Sequence, residues 1–263
     1  MIKKELKDNL KSFIIITSIL VVLFFIVYLI YPYIINDEAK ESMNELMAIF
    51  PESVLKAFNM DITNIDTAYG WVKSEGFTIV LLSIGFYASI LGSSILFKEE
   101  KDKTIEYLGF LPIRRKNILT NKLIVALIYL VSLVVIFTLF NYIALLISGS
   151  FNQKEFFLLF FSILLVALPL FFINLFITTL LNRNKKVLGI SLMMVFIFYL
   201  FNTISEMSDK VKFFRYLSLY SLADIRGIIA NGSISIWCIV ISVVISLVFA
   251  ILSYITYDKK ELI

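Results

Sequence analysis

Residues 13–36 read FIIITSILVVLFFIVYLIYPYIIN, a run of 24 residues that contains no Asp, Glu, Lys or Arg. The hydrocarbon core of a bilayer is about 30 Å thick, and an α-helix crosses it with about 20 residues that rise about 1.5 Å each. The run is therefore long enough and apolar enough to cross a membrane as one helix.

Five further charge-free runs of comparable length follow along the chain. They cover residues 76–97, 123–149, 156–182, 187–205 and 234–257. Hydrophobic residues make up 60% of the 263 residues and charged residues 17%, whereas an ordinary soluble domain has about 45–50% and about 25%. We therefore predict an all-α membrane protein in which residues 1–263 form a single transmembrane domain with six transmembrane helices.

The distribution of Lys and Arg predicts the orientation of these spans, because cytoplasmic loops carry the excess of positive charge. The two termini and the 98–122 and 183–186 loops together hold 16 Lys and Arg residues, and the three loops on the opposite side hold 8. Residues 37–75, on the side with fewer basic residues, also carry eight acidic residues. We predict a multi-pass protein of the cell membrane with both termini in the cytoplasm.

Amphipathic segments outside the spans predict short helices. Ile2, Leu6 and Leu10 recur every four residues with lysines between them, which favours an N-terminal interfacial helix before a turn into the first span. The alternative is a basic flank that only orients the span. On the opposite side, residues 39–60 and 213–222 combine polar residues with a high apolar content, which favours short outer helices over the alternative of disordered loops.

Small residues line one face of the second span. Gly85, Ser89 and Gly92 follow one another at about one helical turn, and small residues let two helices approach closely within a membrane. We predict that this stripe is a helix-packing surface.

Several classes of function are excluded by what the sequence lacks. It has no histidine, and its one cysteine, Cys238, cannot form an intramolecular disulfide or a zinc cluster. None of its nine glycines is followed by lysine, so no nucleotide-binding G-x-x-x-x-G-K-[ST] loop is present. The six runs hold no carboxylate, the usual proton or cation ligand of an ion-driven transporter. This weakens the secondary-transporter interpretation without excluding it, because backbone carbonyls can also bind a cation. We expect no enzymatic activity, no cofactor or metal in this chain, and no nucleic-acid partner.

The 98–122 loop, on the predicted cytoplasmic side, reads KEEKDKTIEYLGFLPIRRKNILTNK. Its ends are highly charged, and its centre is apolar but too short to cross a bilayer. Two interpretations follow from the residues: a short amphipathic helix that docks into a partner protein, or an interfacial helix on the inner leaflet. The residues alone favour neither.

The same loop resembles the signature of type-2 ABC transporter permeases. In that signature an acidic pair is followed by Gly-Thr-x-Glu-x-Leu-Leu-Ser, then by Pro-Ile-Ser-Arg and a later Lys. Lys103, Gly109, Phe110 and Arg114 depart from it. The residues that match, and to which the resemblance assigns coupling to an ATPase, are Glu99, Glu100, Thr104, Glu106, Leu108, Pro112 with Ile113, Arg115 and Lys122.

The resemblance implies a permease subunit of an ATP-driven ABC exporter. It implies a coupling helix at about 99–117 between the second and third spans, a cytosolic ABC ATPase dimer that carries ATP and Mg²⁺, and a second permease of the same or a related sequence. The substrate class expected is an amphipathic or hydrophobic peptide, lipid or drug. The alternatives are an ATP-independent secondary transporter or channel-like protein, and a membrane scaffold that does not transport.

Overall fold

The computed structural model describes residues 2–34, 45, 49–57, 67–101, 115–149, 151–181 and 186–259. These residues form helices joined by turns and contain no β-strand. Six of the helices within them are long and apolar enough to cross a membrane. The all-α fold with six transmembrane helices, expected from the charge-free runs, is confirmed.

The helices are numbered here in chain order. The spans are α1 (Ile2–Ile34), α4 (Phe77–Lys101), α5 (Arg115–Ser148), α6 (Gln153–Leu180), α7 (Lys186–Met207) and α10 (Ile236–Lys259). The short helices are α2 (Glu52–Ala57), α3 (Ala68–Trp71), α8 (Phe214–Leu217) and α9 (Ile225–Asn231).

The first span differs from the prediction of a separate interfacial helix. Residues 2–34 form one uninterrupted helix, and its sequence contains no Gly or Pro before Pro32 that would break it. At about 1.5 Å per residue the helix is about 50 Å long, which exceeds the hydrocarbon core of a bilayer. The basic N-terminal turns therefore continue the span beyond the hydrocarbon instead of turning away from it.

The second span also begins earlier than its charge-free run. Helix α3 starts at Ala68 behind an N-cap at Thr67, and a π-helix (Val72–Gly76) joins it to α4. The charged residues that made the predicted run start only at residue 76 lie within this continuous helical segment. The Lys73 ammonium lies 3.7 Å from the Glu155 carboxylate at the start of α6.

Helix α6 lies at the centre of the bundle. Helices α4 and α10 make the most extensive packing against it, α1 packs against α5, and α7 packs against α4. In α6, and in the continuous helical segment formed by α3, the π-helix and α4, 67% of the most apolar stretch is buried within the chain. In α1, α7 and α10 the buried share is 17%. The latter three spans therefore form the periphery of the bundle.

Short helices occupy the two long loops at the end of the bundle where α1 ends and α4 begins. Helix α2 follows Pro51 directly and packs against α7. Between α7 and α10 the chain forms a 3₁₀ turn (Asp209–Val211), α8, a second 3₁₀ turn (Leu219–Ala223) and α9. This capping segment, residues 208–231, covers the ends of α4, α6 and α7.

Candidate functional site

The coupling residues inferred from the family resemblance are only partly within the described chain. Thr104, Glu106, Leu108 and Pro112 lie outside the described residues. Glu99 and Glu100 belong to the last turn of α4, and Arg115 is the first residue of α5. Lys122, one turn further along α5 than Ile118, is the matching residue whose side chain the structure places in full.

Lys122 is buried where three helices meet. Its side chain is 1% exposed, and its ammonium lies 3.0 Å from the Glu5 carboxylate of α1. The same ammonium donates a 3.0 Å hydrogen bond to the backbone carbonyl of Ile95 in α4. A buried charge is tolerated only when it is paired and hydrogen-bonded, and here both conditions are met. Lys122 thus connects α5 to α1 and to the end of α4.

The N-terminal turns of α1 make further contacts with α5. The Tyr129 hydroxyl donates a hydrogen bond to the backbone carbonyl of Leu6. The rings of Tyr129 and Phe13 have centroids 4.8 Å apart. On α1 itself, the Asn9 amide donates a 3.0 Å hydrogen bond to the Glu5 carbonyl. The first turns of α1 are therefore docked on α5 by polar and aromatic contacts.

The C-terminal helix is attached to the same region of α5. The hydroxyls of Thr120 and Tyr254 share a hydrogen bond of 2.8 Å. The Lys116 ammonium lies 3.4 Å from the Asp258 carboxylate, in an exposed pair. We refer to Glu5, Ile95, Thr120, Lys122 and Tyr254 together as the Lys122 cluster. Through it the first two turns of α5 contact α1, α4 and α10.

The predicted packing stripe on α4 lies against α6 and the capping segment. A Cβ on Gly92 would lie 2.4 Å from the carbonyl oxygen of Phe171 in α6, and one on Gly85 would lie 2.3 Å from the Tyr220 hydroxyl. Between them, Ser89 accepts a 2.9 Å hydrogen bond from the buried Asn174 amide. The two backbones approach so closely that only a hydrogen atom fits at Gly92.

Sequence reasoning missed Glu5 as the partner of Lys122. The prediction grouped Ile2, Leu6 and Leu10 as the apolar face of an interfacial helix and gave Glu5 no role, whereas Glu5 is buried and Leu10 is 44% exposed. A signal was available, because Glu5 shares the face of Ile2 and Leu6 whereas Lys3, Lys4 and Lys7 point to the exposed side. An acidic residue on the apolar face of a mostly basic segment indicates a buried partner.

The groups of the site hold helices together through an ion pair and hydrogen bonds. Among the described residues no group of three or more His, Cys, Asp and Glu side chains could hold a metal ion. In the Lys122 cluster one ammonium bonds a carboxylate and a backbone carbonyl, and, separately, two hydroxyls bond each other. Such an arrangement fixes helices relative to one another and gives no covalent chemistry.

Comparison with models of protein families finds a match to the ABC-2 family transporter protein over residues 1–262. The chain belongs to the ABC-2 transporter family. No curated protein and no solved structure matches it. As an ABC-2 family permease it is the membrane subunit of a transporter, is not itself an ATPase, and belongs to a family that partners with an ABC ATPase.

In this ABC-2 permease the Lys122 cluster lies on the two helices that flank residues 102–114. Helix α4 ends at Lys101 and helix α5 begins at Arg115. The bond from Lys122 to the Ile95 carbonyl joins these two helices about two turns away from those ends.

Proposed function

We propose that the chain is the permease subunit of an ATP-driven exporter that moves an amphipathic or hydrophobic substrate across the cell membrane. Both termini and the 99–117 segment face the cytoplasm. Two cytosolic ATPase subunits, which carry ATP and Mg²⁺, dock on the 99–117 segment. A second permease, identical or related, completes the transporter, and the two permeases change their relative orientation when the ATPases close.

The observation that supports the proposal is the connection that Lys122 makes between the helices on either side of the 102–114 segment. The bond from Lys122 to Ile95 connects α5 to α4, and the ion pair to Glu5 adds α1 to the same unit. We therefore expect a force applied to the segment to move α5 together with α1 and α4. A partner that pushes there therefore moves three spans together.

The peripheral spans support the presence of a second permease. In α1, α7 and α10 only 17% of the most apolar stretch is buried within this chain. Large apolar side chains such as Ile19, Phe25 and Phe196 are about half exposed. These faces are suited to lipid and to a second permease, whereas α6 has its partners within the chain.

The test uses the permease co-purified with its ATPase. We expect Leu108→Asp and Glu106→Ala to leave the protein in the membrane at normal levels and to abolish substrate-stimulated ATP hydrolysis. Truncating one member of a buried interfacial charge pair costs about 2–5 kcal/mol, which weakens assembly by roughly one to several powers of ten. Lys210→Ala, an exposed change in the capping segment, is the control and should leave stimulation unchanged.

Normal stimulation in both coupling variants would contradict the proposal. A second arm addresses the ATP-independent alternative. The purified chain alone, reconstituted in liposomes, should not transport substrate when an ion gradient is imposed, and transport by the full complex should persist when the proton gradient is collapsed at constant ATP. Transport by the chain alone would establish the secondary-transporter alternative.

A further inference from the structure

The N-terminal turns of α1 carry a patch of exposed positive charge. This basic patch consists of four exposed lysines: Lys3, Lys4, Lys7 and Lys11. None of the four forms an ion pair within the described part of the chain. Asp8 is exposed beside the patch and offsets one of its charges, whereas Glu5 is buried against Lys122 of α5. The patch keeps a net positive charge, and the proposed coupling mechanism gives it no role.

The basic patch continues into an exposed apolar stripe on the same side of α1. Lys3, Lys7 and Lys11 recur every four residues and so share one side of the helix. Residues that follow on that side at helical spacing are apolar and about half exposed: Ile14, Val22, Phe25 and Leu29. The opposite side packs on the bundle, since Leu20 and Phe24 are buried there. Helix α1 therefore exposes one surface that is basic at its N-terminal end and apolar along its length.

Contacts with α5 fix the basic patch in place. The Glu5 carboxylate is paired with the Lys122 ammonium, and the Leu6 carbonyl accepts a hydrogen bond from the Tyr129 hydroxyl. Both contacts lie on the side of α1 away from the lysines. The lysines are therefore carried on a docked helix whose backbone need not become ordered when a ligand binds, which favours affinity.

The straight course of α1 places the lysines at different depths. At about 1.5 Å per residue, the backbone of Lys11 lies about 3 Å beyond Phe13, where the apolar run begins, and that of Lys7 about 9 Å beyond it. A headgroup layer is about 5–8 Å thick, so Lys11 lies within the layer and Lys7 at its outer boundary. Lys3 lies about 15 Å beyond Phe13, and over a Debye length of about 8 Å salt screens much of its attraction to lipid charge.

The apolar stripe matches the length of a lipid chain. One leaflet contributes about 15 Å of hydrocarbon, which is half of the bilayer core. The stretch from Ile14 to Val22 rises about 12 Å along the helix. The surface of α1 thus changes from basic to apolar at the depth where a phospholipid changes from headgroup to acyl chain. Lysine clusters directly beside a span attract anionic lipids.

We propose that α1 binds an anionic phospholipid in the leaflet that its N-terminal turns cross, which is the cytoplasmic leaflet in the predicted orientation. The phosphate lies at Lys7 and Lys11, and the acyl chains lie along Ile14 and Val22. A lipid matches both parts of this surface, whereas an acidic protein segment matches only the basic patch. The proposal is independent of the substrate and of the direction of transport.

The test measures lipid retention by the purified, delipidated permease with native mass spectrometry. The probes are phosphatidylglycerol and phosphatidylcholine with identical acyl chains, offered in equal amounts. We expect the wild type to retain phosphatidylglycerol over phosphatidylcholine by at least about fivefold, the factor that one lysine near a membrane surface contributes. Raising the salt concentration from about 0.1 M to about 1 M should weaken this preference, because the Debye length falls from about 10 Å to about 3 Å.

Variants locate the site and test the order of depth. Lys11→Gln should reduce retention of phosphatidylglycerol about fivefold, and Lys3→Gln should reduce it less. Lys7→Gln combined with Lys11→Gln should abolish the preference, whereas arginine at both positions should preserve it. The matched control combines Lys154→Gln with Lys210→Gln, two exposed lysines at the other end of the bundle, and should behave as the wild type. The glutamine variants keep 14 of the 16 basic residues on their side, so the predicted orientation should not change.

Three results would overturn the proposal. The first is equal retention of the two lipids by the wild type, which is decisive even if a variant fails to fold. The second is an unchanged preference in the double glutamine variant when its thermal unfolding is also unchanged. The third is a loss of the second permease or of the ATPase from the complex without any change in lipid retention, which would assign the basic patch to a protein partner.

Discussion

Ser242 of α10 donates a hydrogen bond of 2.8 Å to the backbone carbonyl of Leu165 in α6, and the bond is buried. In a regular helix that carbonyl would accept from the N–H four residues later. Residue 169 is a proline, which has no N–H, so the carbonyl of Leu165 has no intrahelical partner. An unpaired carbonyl is costly within a bilayer, and a side chain from a neighbouring span supplies the missing donor.

We expect Ser242→Ala to destabilise the protein by about 1 kcal/mol, because the Leu165 carbonyl would be left buried without a donor. In a Pro169→Ala background residue 169 regains its N–H, and Ser242→Ala should then cost much less. The free energy of unfolding in detergent, measured for all four combinations, gives the coupling. An equal loss of stability in the two backgrounds would show that the Ser242 hydroxyl does not compensate for the missing N–H of Pro169.

The close approach of α4 and α6 predicts that Gly92 does not tolerate a larger residue, in contrast to Gly189 on α7. Gly92→Ala should cost about 1–3 kcal/mol, because the added methyl would overlap the carbonyl oxygen of Phe171, which is backbone and cannot move aside. Gly189→Ala is the control, since no atom lies within 4 Å of the added methyl. Replacing that exposed helical glycine should be neutral or stabilise by about 1 kcal/mol.

At Gly85 the obstacle is a side chain, which allows a rescue experiment. Gly85→Ala would place the methyl 2.3 Å from the Tyr220 hydroxyl. Tyr220→Phe removes that oxygen, so the double variant should recover part of the stability that Gly85→Ala loses. Thermal unfolding of the single and double variants in detergent measures the recovery. If Tyr220→Phe does not help the alanine variant, the contact between the two residues is not the cause.

Removing one charge of the Glu5–Lys122 ion pair should destabilise the protein strongly, whereas replacing both residues with apolar ones should destabilise it little. Lys122→Met leaves the Glu5 carboxylate buried without its partner, and we expect a loss of about 3–5 kcal/mol. The double variant Glu5→Leu with Lys122→Met removes both charges and should recover most of that loss. The free energy of unfolding in detergent is measured for the wild type, Lys122→Met and the double variant. An undiminished stability of Lys122→Met would contradict burial of the pair.

The double variant also separates folding from coupling. If the ion pair transmits the movement of the 102–114 segment to α1, the double variant should fold and assemble with the ATPase but show reduced substrate-stimulated ATP hydrolysis. Wild-type stimulation in a stable double variant would show that the pair only stabilises the fold.

Accessible cysteines test the predicted orientation. Cys238→Ser should provide a nearly neutral cysteine-free background. Single cysteines at Asn44 and Asn231 should then react with an impermeant maleimide added to intact cells, whereas one at Asn184 should not. Helix α9 ends at Asn231, which is exposed. Labelling at Asn184 in intact cells would reverse the predicted topology.

The span count was predictable because hydrocarbon excludes charge, and a stretch without charged residues is visible in any sequence. The ends of the helices were less predictable. The runs stop at the first charged residue, but the helical segment that leads into α4 begins at Ala68. Its π-helix contains Lys73, which pairs with Glu155. A charge near a helix end can be satisfied by a residue far along the chain, and composition does not reveal such a partner.

The small-residue stripe and Lys122 were both selected from the sequence, for different reasons. Gly85, Ser89 and Gly92 followed from helical spacing, and their surroundings on α6 and the capping segment became known only from the fold. Lys122 followed from a family resemblance that says nothing of Glu5 or Ile95.

The sequence by itself determined that the chain is a helical membrane protein with six spans, because hydrophobicity and helical length are properties of contiguous residues. The motif in the 98–122 loop also led to the family that the match over residues 1–262 shows. Only the tertiary structure decided which spans are central and which lysine forms a buried ion pair with which carboxylate. It also decided which serine donates to the carbonyl that Pro169 leaves without an intrahelical donor. Those relationships join residues separated by 77 positions for Ser242 and Leu165 and by 117 for Lys122 and Glu5. Such pairs depend on how helices pack, which is a property of side-chain shape across the bundle and not of any one segment.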